Sequence, residues 1–591
     1  MQKAVYKNLD LSVSGLQWKL KKNLNDNFNK LEKSKSIPKI IKNILLKRDL
    51  FSMEIEDYLR PSLRKLTPNP SILHDMDNAV NVCYEAILKK EKIGILGDYD
   101  VDGATSAALI FNYFRELNIN NVDVYIPDRE KDGYGLSKNA ISFFLKKKTN
   151  LVLCLDCGTN DIENINRAHS LGIKVIIIDH HEKKEENKAL ALINPKKEKD
   201  NSGLNYLATV GLSFLFIIAL NANLKKKSFF DKKLIKPKLK KYLDLVALGT
   251  ICDLVPLKSV NRLFVKKGIL ELNKKNNKGI KTLIEKLKIN KIIEVPDISF
   301  YLGPCINAPG RVGNSSLGFK LLSFSNQNLF SEIVNTLLKN NKERKTLENI
   351  ACSQAKNKIS ILKNDNKKEQ KFLLVHDQNW HSGIIGIIAS RLTKEFNIPS
   401  IVISSKEKNT KGSIRSIEGI NAADIIEFLK EKDCIINGGG HSMAGGFTLK
   451  ENYIDKLNFF LNSYFSKLSI RNKDFLEIDI ILDMHSINIS LIKKIKDIGP
   501  FGQENEEPIV ALNNIRPIFI KKVGKLQNHV FCVLEDMYGG TLNAIAFNHS
   551  TTAIGSALSK KRNISVAGKL EIYKSEKKIA PQIIIEDILI L

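Results

Sequence analysis

Three aspartates, Asp98, Asp100 and Asp102, alternate in "GDYDVDGATS" (97–106) and run directly into Gly103. Carboxylates at that density repel one another unless a cation sits among them, so the segment is either a calcium loop or the floor of a metal-dependent active site. A calcium loop needs a bidentate glutamate at its twelfth position. With Asp98 as position one, that place is held by Leu109. Such a loop also leaves a helix, whereas "KIGIL" (92–96) before Asp98 is strand-like. The active-site alternative draws further donors from Asp156 in "LDCGTN" and from Asp179, His180 and His181 in "IIIDHH". Mixed carboxylate and imidazole donors suit a pair of hard divalent cations such as Mn²⁺ or Mg²⁺. Two such ions clamp a phosphate and lower the pKa of a bound water, which is phosphoester hydrolysis.

A second constellation suits phosphate binding. "GGGH" offers Gly439, Gly440 and His441, consecutive backbone N–H groups beside an imidazole, and "KGSIRS" places Ser413 and Arg415 on one side of an extended strand. Arg129 in "PDREKDGYG" and Arg311 in "NAPGRVGNSS" follow turns and could add bidentate contacts.

The elements that must position these groups follow from periodicity. From Lys92 to Ile193, short apolar runs alternate with helical stretches. That pattern predicts an α/β doubly wound domain with a parallel sheet covered on both faces. Ligands gather beyond the carboxyl ends of such strands, and here the strands end at Asp98 and Asp100, at Asp156, and at Asp179 to His181. An apolar helix in "YLDLVALGTICDLVPL" ends near Asp253. The domain divisions read as an N-terminal extension over 1–50, a catalytic domain over 51–325, a long bridging helix over 326–365, a second α/β domain over 366–455 and a small β-barrel over 460–591. The barrel is expected to be of the OB type that binds single strands.

Composition narrows the partners. The chain of 591 residues carries 92 Lys+Arg against 64 Asp+Glu, a net charge of +28. That favours a polyanion, although a Lys-rich composition alone gives the same excess. The N-terminus has no apolar core of a secretory signal. The longest apolar run, Tyr206 to Leu220, has 15 residues and falls short of the roughly 20 of a spanning helix, so no membrane is expected. Eight cysteines without framework spacing suit a reducing cytoplasm. Cys154 and Cys157 form a CxxC without the second pair that a zinc site needs.

Taken in order, "GDYDVDGATS", "LDCGTN", "IIIDHH", "ALGTICDLVPL" and "INGGGHSMAGGF" resemble the DHH phosphoesterase family, in its RecJ-type branch of single-stranded-DNA-specific exonucleases. The resemblance implies a DHH catalytic domain, a DHHA1-like accessory domain and a C-terminal OB-like barrel. It implies two Mn²⁺ or Mg²⁺ ions bridged by Asp156, with Asp98, Asp100, Asp102, His180 and Asp253 completing their shells and His181 close to the scissile phosphate. Ser413, Arg415, Gly439, Gly440 and His441, with Arg129 and Arg311, would hold a 5′ end, giving a 5′-to-3′ exonuclease that releases 5′-mononucleotides in repair and recombination. The implied partner is single-stranded DNA, met by a monomer beside a single-strand-binding protein or helicase. In "PFGQENEEP", Glu504 and Glu506 stand where similar proteins carry Gly and Pro. Two other functions remain open: a DHH phosphoesterase of short oligoribonucleotides or cyclic dinucleotides, and an inactive scaffold. The first would lack the long C-terminal β domain, and the second would have lost metal ligands. Spacing does not decide which of Asp98, Asp100 and Asp102 touch metal.

Overall fold

The computed structural model describes residues 11–23, 37–48, 55–182, 187–230, 236–323, 329–365, 370–406, 410–468, 475–574 and 579–591. They fall into two compact units, one formed by 68–256 with 264–470 and the other by the described residues up to 67, 257–263 and those from 475 onward.

The larger unit opens with five parallel strands: β1 (Ile93–Gly97), β2 (Val122–Tyr125), β3 (Leu151–Leu155), β4 (Lys174–Ile178) and β5 (Ala191–Ile193). Their order is β2-β1-β3-β4-β5. β1 and β3 are buried at every position, as their unbroken apolar runs require. The order reverses between β1 and β3, which makes the crevice at their carboxyl ends the place for a ligand. The connecting helices include α1 (Val101–Glu116), α2 (Lys138–Lys146), α3 (Ile162–Ser170), α4 (Thr209–Lys226) and α5 (Leu243–Cys252). α1 packs against both α4 and α5. The apolar run from Tyr206 therefore ends up inside a protein core. No helix among the described residues is long and apolar enough to cross a membrane.

Helix α6 (Phe330–Asp365) runs for 36 residues, about 54 Å at 1.5 Å per residue. A second five-stranded sheet follows: β6 (Leu373–Asp377), β7 (Ser400–Ser404), β8 (Thr410–Arg415), β9 (Asn437–Gly440) and β10 (Ala444–Leu449), in the order β9-β10-β8-β7-β6. Only β6 and β7 are parallel. One face packs on helix α7 (Ile385–Phe396) and the apolar side of α6 through Ala351, Ala355 and Ile388. The other carries α8 (Ala422–Glu431) and α9 (Ile454–Ser466) through Ile425, Leu457 and Phe465.

The smaller unit is a closed five-stranded barrel. Its strands are β11 (Val510–Val523), β12 (His529–Asp536), β13 (Thr541–Ala546), β14 (Ile564–Lys574) and β15 (Ile579–Ile590), paired in the ring β11-β12-β13-β15-β14-β11. All contacts are antiparallel except β13 with β15. A short helix, Ala553–Ser559, separates β13 from β14, and the whole is the OB arrangement.

The described residues before 67 belong to this barrel unit. Gln17–Leu20 pairs in parallel with Phe475–Ile478, and Trp18 packs on Ile478, Ala511, Ala567 and Leu589 while its Nε1 donates to Asp587 Oδ2 at 2.9 Å. Ile41, Ile44 and Leu45 join the barrel core. Residues 1–10, 24–36 and 49–50 of the extension expected over 1–50 lie outside the described ones. Arg262 brings 257–263 to the same unit by donating to the carbonyls of Tyr58, Ile498 and Gly499 at 2.6, 2.7 and 2.9 Å.

Candidate metal centre

Four element ends converge on one place. β1 ends at Gly97 and the chain turns through Asp98 and Asp100 into α1, where Asp100 caps the helix by accepting from the Gly103 amide at 3.0 Å. A Cβ at Gly103 would stand 2.5 Å from the Asp98 backbone nitrogen and oxygen, so only glycine permits this turn. β3 delivers Asp156, held at a φ of 65°. β4 delivers Asp179, His180 and His181, and α5 delivers Asp253 at its C-cap.

Their donor atoms fall into three overlapping groups, each within 4.8 Å: Asp98, Asp100 and Asp156; Asp102, His180 and Asp253; and Asp156, His180 and His181. Asp156 belongs to two of them. His180 Nε2 stands 3.5 Å from Asp156 Oδ1 and 3.5 Å from Asp253 Oδ2. Buried carboxylate oxygens ordinarily find a donor; Asp98 Oδ1 and Asp253 Oδ2 are buried with none. Burial, followed by the neighbouring carboxylates, raises Asp98, Asp156 and Asp253 well above the usual range and Asp102 to about 7. Burial, then His181, lowers His180 to about 3, leaving a neutral ring with a lone pair to give. Mutually repelling carboxylates, two of them with a buried oxygen that no donor meets, beside a neutral imidazole form a donor set that fits divalent cations.

Around this set lie residues that hold it in place, and Asp179, expected as a further donor, belongs to none of the three groups. Thr209 opens α4 and its hydroxyl donates to Asp156 Oδ1 at 2.9 Å. Asp179 Oδ1 accepts from the His180 and His181 amides at 2.8 and 3.2 Å and lies 2.7 Å from His181 Nδ1. Against the cost of burial, His181, His180 and Thr159 hold the Asp179 carboxyl below its ordinary range. Burial opposes charge on His181, but Asp179, Asp98 and Asp100 outweigh it and raise the ring to about 9. The Tyr134 hydroxyl reaches the Asp156 carbonyl at 2.8 Å and His181 Nδ1 at 3.0 Å. The signals for Asp179 and Tyr134 were their places beside the histidine pair and inside "DGYG".

The candidate phosphate groups gather beside this centre. Arg129 lies 5.1 Å over the Tyr99 ring, within the aspartate loop itself. Arg311 donates to the Gly383 carbonyl at 3.0 Å. Arg415 donates to Ser390 Oγ and Ser413 Oγ, both at 3.1 Å, and to the Ile414 carbonyl at 2.9 Å. Burial, then Arg129 and Arg415, lowers Arg311 to about 9; burial, then Arg129, lowers Arg415 to about 10. These three guanidinium groups feel one another and would all be relieved by an anion. Gly439 and Gly440 lie in the edge strand β9, so alternate rather than consecutive amides face away from the sheet. His441 follows, and its ring lies over that of His181, centroids 5.4 Å apart at 31°.

Comparison with known proteins gives these features a lineage. Models of the DHH family N-terminal domain, the DHHA1 domain and the RecJ OB domain match residues 92–250, 369–467 and 478–587. The single-stranded-DNA-specific exonuclease RecJ of Salmonella typhimurium is 33% identical over 530 residues, covering 87% of this chain and 90% of that protein. The chain belongs to the RecJ family. A crystal structure of RecJ from Thermus thermophilus in complex with Mn²⁺ shares the fold, with a TM-score of 0.77 and 22% identity over 97% of this chain and 80% of that one. A structure of exonuclease RecJ bound to manganese aligns with a TM-score of 0.56 and 26% identity, covering 67% of this chain and 96% of that chain. The RecJ frame thus accounts for the DHH sheet, the accessory sheet and the barrel.

Proposed function

We propose that the chain is an exonuclease that hydrolyses single-stranded DNA from the 5′ end to 5′-mononucleotides, with two Mn²⁺ or Mg²⁺ ions, in DNA repair and recombination. The observation that carries this reading is the arginine cluster of Arg129, Arg311 and Arg415 beside the carboxylate and histidine centre at the carboxyl ends of β1 and β3. The substrate class follows from the RecJ relatives, and the metals from RecJ structures that hold manganese.

Asp98, Asp100, Asp156, His180 and Asp253 would hold the cations, with Asp156 common to both and Asp102 contributing from its seat on α4. When bound, such a pair supplies a nucleophile at neutral pH and neutralises charge on an in-line phosphoryl displacement. The chain's own residues do the rest. Arg129, Arg311 and Arg415, with Ser413, hold a terminal 5′ phosphate bidentately. His181 then meets the first internal phosphodiester, with the His441 ring and the Gly439–Gly440 strand beside it. Fixing the terminal phosphate next to the hydrolytic centre sets the polarity and limits each event to one nucleotide.

The barrel binds bases in its own right. Its outward face carries Phe519, Phe531, Ile545 and Lys521; Phe519 and Phe531 rings are 6.3 Å apart, and Phe531 stands across the ladder from Lys521 on one side and Ile545 on the other. Aromatic rings interleaved with lysine suit stacked single strands. A single-strand-binding protein or helicase would present the strand to a monomer of this chain in the cytoplasm.

The deciding experiment uses single-stranded and duplex DNA labelled at either end, with Mn²⁺ or Mg²⁺. Release of labelled 5′-mononucleotide from the 5′ end of single strands alone is expected. Release from the 3′ end, or preference for short RNA, would overturn the reading.

A further inference from the structure

Tyr134 is presented with more precision than a surface tyrosine needs. Gly133 and Gly135 flank it with φ values of 77° and 88°. A Cβ at Gly135 would sit 2.1 Å from Asp161 Oδ2, the same oxygen that accepts from the Leu136 amide at 2.6 Å. Upstream, Asp132 Oδ2 accepts from the Asp128 amide at 2.7 Å and from the Tyr125 hydroxyl at 2.9 Å, while its Oδ1 accepts from Asn139 at 2.7 Å. Two carboxylates therefore fix the loop at either side of the tyrosine. The residue stays 45% exposed while its hydroxyl is aimed inward at the Asp156 carbonyl and His181.

At the hydroxyl, counting hydrogens leaves one arrangement. The Asp156 carbonyl can only accept, so the Tyr134 proton goes there, across 2.8 Å. The phenol oxygen then accepts from His181 Nδ1, 3.0 Å away. Asp179 Oδ1, 2.7 Å from the same nitrogen, is also an acceptor. The Nδ1 proton is thus shared between Asp179 and Tyr134, and Nε2 is the nitrogen left for substrate. The second bond ties that ring to the backbone of Asp156, whose left-handed conformation only the surrounding structure can sustain.

We infer that Tyr134 is a positioning residue: its hydroxyl locks the His181 ring to the Asp156 carbonyl so that Nε2 of His181 faces the phosphodiester. The inference rests on the exonuclease reading and goes beyond it by naming how the second histidine of the pair is held apart from the first. An orienting partner of this kind commonly fixes tautomer and ring plane.

Tyr134→Phe removes the hydroxyl and keeps the ring. On long 5′-phosphorylated single-stranded DNA it is expected to lower kcat about tenfold, the scale of one hydrogen bond, with KM and calorimetric Mn²⁺ affinity unchanged. In a His181→Ala background the same substitution is expected to cost nothing more. In metal-free protein carrying ¹⁵N-labelled histidine, the His181 Nδ1 signal should shift in Tyr134→Phe as the bond to the phenol is lost, while Asp179 keeps the proton on Nδ1. Full activity in Tyr134→Phe, a rise in KM alone, or an undiminished loss in the His181→Ala background would overturn the inference. An unmodified chain without nuclease activity would overturn the exonuclease reading instead, and the imidazole spectrum would still decide whether Tyr134 holds His181.

Discussion

Asp102 accepts the backbone amides of both Thr209 and Val210, at 2.7 and 3.0 Å. The third aspartate of the alternating triplet is thereby seated on the first turn of α4, where the helix dipole favours a carboxylate. Asp98, four residues earlier, keeps a buried oxygen with no donor. Residues of one type and one spacing have acquired different tasks.

Isosteric amides separate those tasks. Asp98→Asn is expected to remove the stabilisation by Mn²⁺ while leaving the metal-free melting temperature unchanged or higher, because it relieves repulsion. Asp102→Asn should cost about 1–3 kcal/mol even without metal, since its amide nitrogen would face a backbone donor. Thermal melts with and without Mn²⁺ distinguish the two. Asp156→Ala is expected to abolish nuclease activity while single-strand binding by the barrel survives, and activity persisting in that variant would refute the metal assignment.

The carboxylate cluster also predicts a pH dependence. Asp102 rises from 3.8 to about 7, and Asp98, Asp156 and Asp253 rise with it. Groups raised in this way bind more protons folded than unfolded, so their favourable contribution is complete below the unfolded value and is lost as pH climbs through the folded one. The metal-free protein should therefore melt at progressively lower temperature from pH 5 to pH 8. Mn²⁺ takes the protons' place, so its stabilising effect should grow over the same interval; a flat profile would contradict the repulsion.

Arg311 and Arg415 are predicted to read the terminal phosphate. Either alanine variant should weaken binding of a 5′-phosphorylated strand by about 1.5–3 kcal/mol, the range for a charged hydrogen bond. Affinity for a 5′-hydroxyl strand should barely change. Equilibrium binding of the two oligonucleotides to each variant, followed by fluorescence anisotropy, makes the comparison directly.

Trp18 reports on the barrel. The sequence has two tryptophans, and Trp18 is 5% exposed in the smaller unit while Trp380 is 3% exposed in the larger one. Trp18→Ala should cost the barrel unit about 3–5 kcal/mol. Trp18→Phe should cost less, since it keeps most of the packing and loses the bond to Asp587. Chemical denaturation followed by barrel-specific amide exchange would register both changes.

Much of this protein was legible before folding because its information is local. An unbroken run such as "LVLCL" declares a buried strand, and the acidic residue after it must then lie at the sheet's carboxyl edge. That logic brought Asp98, Asp156 and His180 to one crevice, and the helical spacing read over 326–365 declared α6, observed as Phe330–Asp365. Periodicity gave no hint that Trp18 belongs with Asp587, 569 residues away, or that Ile41, Ile44 and Leu45 join the barrel core. Nor did "GGGH" reveal that its glycines would form an edge strand, because glycine permits a nest and a strand equally.

The sequence by itself determined the chemistry available: the carboxylates, imidazoles and guanidinium groups, and the strand ends that carry them. Tertiary structure alone decided which aspartate caps a helix and which keeps a buried oxygen without a donor, and that Tyr134 reaches His181. The reason is physical. A side chain's type sets what it can bond, but its partner is whichever group the packing of distant elements brings within about 3 Å, and that distance is a property of the whole fold.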